Sequence, residues 1–157
     1  MRRSDREVKD FNDIISILDQ CTVIHLALCD NGKPYVVPLN FGYKAENGKL
    51  TLYFHSARQG RKIELIRQNP NICFEADCSF QLISGEEACD WSAAYDSVIG
   101  EGHAAILENR QEISEALDFI MKKYGFRGKP SYNPKYFAQM AVVRLEIDTL
   151  TGKRHER

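Results

Sequence analysis

The sequence predicts a mainly β domain of the α+β class: six antiparallel strands closing into a barrel with peripheral helices, a two-sheet sandwich being the competing architecture. Three observations carry this. Apolar residues alternate with period two over several short runs, and Asp30-Asn31-Gly32 and Glu46-Asn47-Gly48 place tight hairpin turns between such runs. Gly100 and Gly102 interrupt a long strand where a bulge or a barrel corner fits.

The elements follow in order. Phe11, Ile14, Ile15 and Leu18 recur at helical spacing behind Asp10, an N-cap residue, so residues 10–20 form a first amphipathic helix. From Thr22 the period becomes two, with Ile24, Leu26 and Leu28 on one face and Val23, His25, Ala27 and Cys29 on the other. After the first turn PYVVPLNFGY reads as a second strand, and after the next turn LTLYFH reads as a third. Tight turns join antiparallel neighbours, so these three strands should form a meander. Arg61 to Asn69 is a short helix stopped by Pro70. NICFEADC is strand four, SGEEACD a polar loop, and residues 95–107 the long glycine-interrupted strand. Ile113, Leu117, Ile120, Met121 and Tyr124 mark the clearest helix, 109–124, closed by Gly125. Ala141 to Thr149 alternates as the last strand.

Composition narrows the function. The 157 residues with 43% hydrophobic content suit one domain and one core. Twenty-one Lys and Arg against 22 Asp and Glu leave a net charge of -1, which gives no global attraction to nucleic acid or to an anionic membrane. The charged start MRRSDREVKDF and the lack of a long apolar run lead us to expect a cytoplasmic protein without signal or anchor. Five cysteines without a CxxC pair read as reduced thiols, Cys21 and Cys29 as small core residues, and no metal site is expected from Cys73, Cys78 and Cys89.

One stretch carries chemistry. In HSARQGRK a strand ends at His55, a small-residue turn follows, and a helix opens at Gly60 with Arg61 and Lys62. Cations at a helix N-terminus oppose its dipole, although such a pair is commonly just solvated surface. A bound phosphate would reverse the local electrostatics. Pro38 in the preceding strand removes a ladder donor, which marks an edge or a bulge and leaves backbone available to a planar ligand. His55 is either a satisfied structural histidine or a group beside a ligand ring, while His25 and His103 read as structural. Trp91 and Tyr95 have little apolar company nearby, so they should pack on another subunit or on a ligand. GxSxG, HExxH and P-loop patterns are missing, and GEG at 100–102 does not continue as a dinucleotide fingerprint.

Taken together, RRSDREV, YVVPLNFGY, LYFHSARQGRKIELIRQNPNICFE, WSAAYDSVIGEGHA and VVRLEIDTLTGK resemble the 5-nitroimidazole-resistance (Nim) branch of the pyridoxamine 5'-phosphate oxidase-like FMN-binding split barrels. The resemblance covers nearly the whole chain. It implies a homodimer with two composite FMN sites. It places Val37, Pro38, Leu39, Asn40 and Phe41 along the isoalloxazine and ribityl chain, and Ser56, Arg61 and Lys62 at the phosphate. Trp91, Tyr95 and Ser97 would approach from the partner chain. His55 matches the histidine that branch sets near the flavin, making it the candidate catalytic residue and proton donor. TGKRHER lacks the basic and aromatic residues of the vitamin B6 oxidases, so that reaction is not expected. The implied function is an FMN-dependent oxidoreductase taking electrons from NADH or NADPH to a small acceptor, nitroaromatics among the candidates. The alternative is a non-catalytic module holding flavin, or haem through His55.

Overall fold

The computed structural model describes residues 3–155 of the chain. Eight strands form one antiparallel sheet: β1 (Glu7–Val8), β2 (Ile24–Asp30), β3 (Lys33–Leu39), β4 (Gly42–Glu46), β5 (Lys49–Ala57), β6 (Asn71–Ile83), β7 (Ser92–Ile106) and β8 (Met140–His155). Four α-helices accompany them: α1 (Phe11–Gln20), α2 (Arg61–Gln68), α3 (Arg110–Lys123) and α4 (Pro134–Phe137). None of these helices is long and apolar enough to cross a membrane.

The local predictions hold because each rests on a few neighbouring residues. Asp10 caps α1, its carboxylate accepting from the N–H groups of Asn12 and Asp13. Asn109, to which the sequence reading gave no such role, caps α3 in the same way. Both hairpins turn through positive φ, at Asn31 and Gly32 and again at Asn47 and Gly48, as strand twist requires. In β2, Ile24, Leu26 and Leu28 are buried. The residues between them face outward, where His25 pairs with Glu75.

The strand count is eight rather than six, and two features account for it. The expected second strand breaks at Asn40-Phe41 into β3 and β4, and the short β1 adds itself to β8. The expected meander also gives way. Strand order is β3-β2-β6-β7-β8-β5-β4, so β3 and β4 lie at opposite ends of the path although only two residues separate them. Three chain steps reach about 11 Å at most, so the sheet must roll up to bring those ends together. No ladder joins β3 to β4. The result is a split barrel, open along that seam.

The inside of the barrel is the main core. Leu26, Phe54, Phe74, Val98, Val143 and Leu145 are fully buried there, and α1 adds Ile14, Ile17 and Leu18. Outside it, α3 packs Ala116, Leu117 and Ile120 over Val142, with Phe119 stacked on Tyr53 at 5.4 Å. The expected glycine irregularity is present, but the extra residue lies on the partner strand. Glu101 pairs with Thr149 and Gly102 with Ile147, so Asp148 bulges from β8, where it pairs with His103. Cys21 is buried as expected, whereas Cys29 is exposed, because it shares the outward parity of His25 and Ala27.

Candidate functional site

The site begins where β5 ends. Alternation sends Phe54 into the core and His55 outward, and returns Ser56 to a half-buried position. The chain then turns through Arg58 and Gln59 and enters α2 at Gly60, an N-cap that brings no side chain to the first turn. The helix forms because Ile63, Leu65 and Ile66 bury against the barrel. That burial fixes where the two preceding cations emerge.

They emerge in different directions. Lys62 Nζ donates to Ser56 Oγ at 2.9 Å in a half-buried position. Arg61 turns to the β2–β3 hairpin, where its guanidinium donates to Asp30 Oδ2 at 2.9 Å and lies 4.6 Å from the centre of the Tyr35 ring. The structure therefore brings Ser56 and Lys62 together, while Arg61 is neutralised and serves as a tie between α2 and the hairpin. Arg58, the third cation of the turn, donates to the carbonyl of Ala138.

The other wall is β3. It is an end strand of the path, and Pro38 sits on it opposite His25, consistent with a residue that cannot donate to a second ladder. Pro38 and Asn40 are exposed, Val37 and Leu39 half-buried. Phe41 differs: its ring is fully buried in the core. Its N–H donates to the Tyr124 hydroxyl, which also accepts from Asn40 Nδ2 and donates to Thr22 O at 2.7 Å. Tyr124, sited at the end of α3, thus pins the crossover between β3 and β4. Sequence reasoning read Tyr124 only as a helix position and did not single out Asp30 or Tyr35. No local pattern marks contacts that span 31 and 84 residues.

Trp91, Tyr95 and Ser97 are far from this corner in the same chain. His55 is opposite Val142, whose neighbour Val143 is opposite Ile106 at the end of β7. Ser97 lies nine residues earlier, about 30 Å along the strand at roughly 3.3 Å per residue. It stands opposite Lys153, which also contacts Tyr95 through the hydroxyl and the ring face. Trp91 stands at the root of the β6–β7 hairpin with 52% of its surface exposed.

As a group, the Ser56 hydroxyl, the Lys62 ammonium and the uncapped start of α2 are all donors, and their net charge is positive. That donor set fits a phosphate group.

Residues 10–154 match the family model described as pyridoxamine 5'-phosphate oxidase. Among solved structures, a candidate 5-nitroimidazole antibiotic resistance protein from Bacteroides thetaiotaomicron VPI-5482 is 32% identical with a TM-score of 0.81, the match covering 94% of this chain and 85% of that one. A flavocytochrome from Azotobacter vinelandii is 21% identical with a TM-score of 0.81, covering 100% of this chain and 72% of that one. An FAD-binding protein from Mesorhizobium loti is 23% identical with a TM-score of 0.67, covering 96% and 98%. These last two share the fold. No match is found among curated proteins. The family match over residues 10–154, together with 32% identity across nearly the whole chain, makes this protein a member of the pyridoxamine 5'-phosphate oxidase family, as its resemblance to the 5-nitroimidazole-resistance branch implied.

Proposed function

We propose that this protein is an FMN-dependent oxidoreductase, working as a homodimer, that passes electrons from NADH or NADPH to a small acceptor of the nitroaromatic class. The observation that carries the reading is the half-buried Lys62–Ser56 pair at the uncapped start of α2. A flavin phosphate would take both side chains as donors. Arg61 supports that corner indirectly, by holding the β2–β3 hairpin against α2. From Tyr35, under Arg61, β3 runs four residues to Leu39, about 13 Å of edge strand along which an extended ligand can lie.

When bound, a flavin would supply the redox chemistry, hydride transfer with a nicotinamide and electron transfer to the acceptor. The chain supplies position and protons. His55 is exposed at the strand end next to Ser56, where its imidazole can reach an acceptor and donate a proton to it. Trp91, Tyr95 and Ser97 belong to this site only through a second chain, because about 30 Å of strand separates them from His55 within one. The hairpin carrying Trp91 also exposes Phe80 (71%) and Leu82 (53%), apolar surface of the kind that subunit contacts cover.

Two measurements test this reading. The purified protein should show an oxidised-flavin spectrum that bleaches on anaerobic addition of NADH or NADPH. A flavin band that neither nicotinamide bleaches would favour the binding module, and a Soret band with no flavin would replace FMN with haem. In sedimentation at micromolar concentration the mass should be twice that of one chain. A monomer that still retains FMN would remove Trp91, Tyr95 and Ser97 from the site.

A further inference from the structure

We propose that Cys21 and Cys78 are an oxidation site, a dithiol that closes to a disulfide tying the end of α1 to β6. The two thiols share one acceptor: Cys21 Sγ donates to the carbonyl of Ile17 at 3.3 Å, and Cys78 Sγ donates to the same oxygen at 3.7 Å. Their neighbours repeat the contact, since Ser79 Oγ donates to Gln20 Oε1 at 3.3 Å and to Cys78 Sγ at 3.6 Å. Residues 20 and 21 therefore face residues 78 and 79 across the helix–strand contact.

The backbone on the strand side can adjust to a cross-link. Cys78 is the last paired residue before the irregularity in β6, where the ladder to β7 resumes only at Gln81, and Ser79 takes a positive φ of 60°. The ladder thus leaves residues 79 and 80 unpaired. The two thiols also differ usefully. Cys21 is buried and Cys78 is half-buried, so a small oxidant meets Cys78 first. Burial pushes the Cys21 thiol up to about 12, with Cys78 beside it adding to the shift. Lys123, held by the carbonyls of Leu18 and Asp19 at 3.1 and 2.6 Å, places its ammonium nearby and offsets only a small part of that rise.

The oxidant is a hydroperoxide. The Cys78 thiolate attacks one peroxide oxygen, forming S–O and breaking O–O, and the departing hydroxide takes a proton to become water. The Cys21 sulfur then attacks the sulfenic sulfur, forming S–S and breaking S–O, and the second water leaves with the Cys21 proton. Two thiols lose two electrons and two protons, and one hydrogen peroxide becomes two waters. A dithiol reductant reverses the change by exchange.

The test uses the full chain treated with a small molar excess of hydrogen peroxide, quenched, denatured and alkylated, with every cysteine peptide mapped by mass. Two of the five thiols should be lost, as one linked pair joining the Cys21 and Cys78 peptides and lacking two hydrogens, and dithiothreitol should restore both. Cys78→Ser should leave Cys21 fully alkylated after the same treatment. The proposal is overturned if Cys78 advances to sulfinic or sulfonic acid with Cys21 still alkylated, or if the only links formed involve Cys29, Cys73 or Cys89. Mapping of the unaltered chain decides between these outcomes even where a serine variant folds poorly.

Discussion

Replacing Lys62 with methionine is expected to weaken FMN retention roughly a hundredfold. A charge-assisted hydrogen bond to phosphate contributes about 1.5–3 kcal/mol, and each 1.4 kcal/mol is about a tenfold change in dissociation constant. The upper part of that range applies to Lys62, because it is half-buried against Ser56 and less screened by solvent. Arg61 is 55% exposed and already paired with Asp30, so Arg61→Ala should weaken binding several-fold less. Titration of the apoprotein with FMN, followed by quenching of flavin fluorescence, measures both. Equal losses for the two variants would mean that Arg61 leaves Asp30 for the phosphate. An unchanged dissociation constant for Lys62→Met would move the phosphate elsewhere.

The second large effect is on stability. Gly102→Ala should destabilise the fold by about 3 kcal/mol or more, lowering the melting temperature by roughly 6–12 °C. A Cβ at Gly102 would stand 1.9 Å from the Glu146 carbonyl oxygen and 2.9 Å from the Ile147 Cα, and both are backbone. Backbone cannot move aside as a flexible side chain can, and here it belongs to the β7–β8 ladder next to the Asp148 bulge. Gly48→Ala is the internal comparison. Nothing lies within 4 Å of its Cβ, so only the strain of a positive φ remains, about 1 kcal/mol. Thermal unfolding of the two variants should therefore differ severalfold in effect. Equal shifts would show that β8 yields at Glu146.

The site was legible in part. HSARQGRK could be read as a strand end, a turn and a helix start, because those are decided by alternation, by small residues and by the apolar spacing of Ile63 and Ile66. The separation of Arg61 from Lys62 could not. Adjacent residues on a helix point about 100° apart, and what each then meets depends on Asp30 and Ser56, brought there by different strands. Phe41 shows the same limit from the other side. It continued an alternating run and read as part of a ligand-facing strand, yet the crossover buries its ring and Tyr124 takes its N–H.

What the sequence by itself determined was local: two hairpin turns, the capped start of α1, the inward face of β2 and the glycines where strands crowd. Each depends on the φ, ψ and side-chain parity of a few consecutive residues, and those preferences act before any distant contact forms. Only the tertiary structure decided that β3 and β4, two residues apart, would stand at opposite ends of the sheet with a seam between them. Rolling the sheet buries both β2 and β5 against one core, a gain in buried apolar surface that no single segment can register. Tertiary packing likewise placed Arg61 on Asp30 and Cys78 beside Cys21.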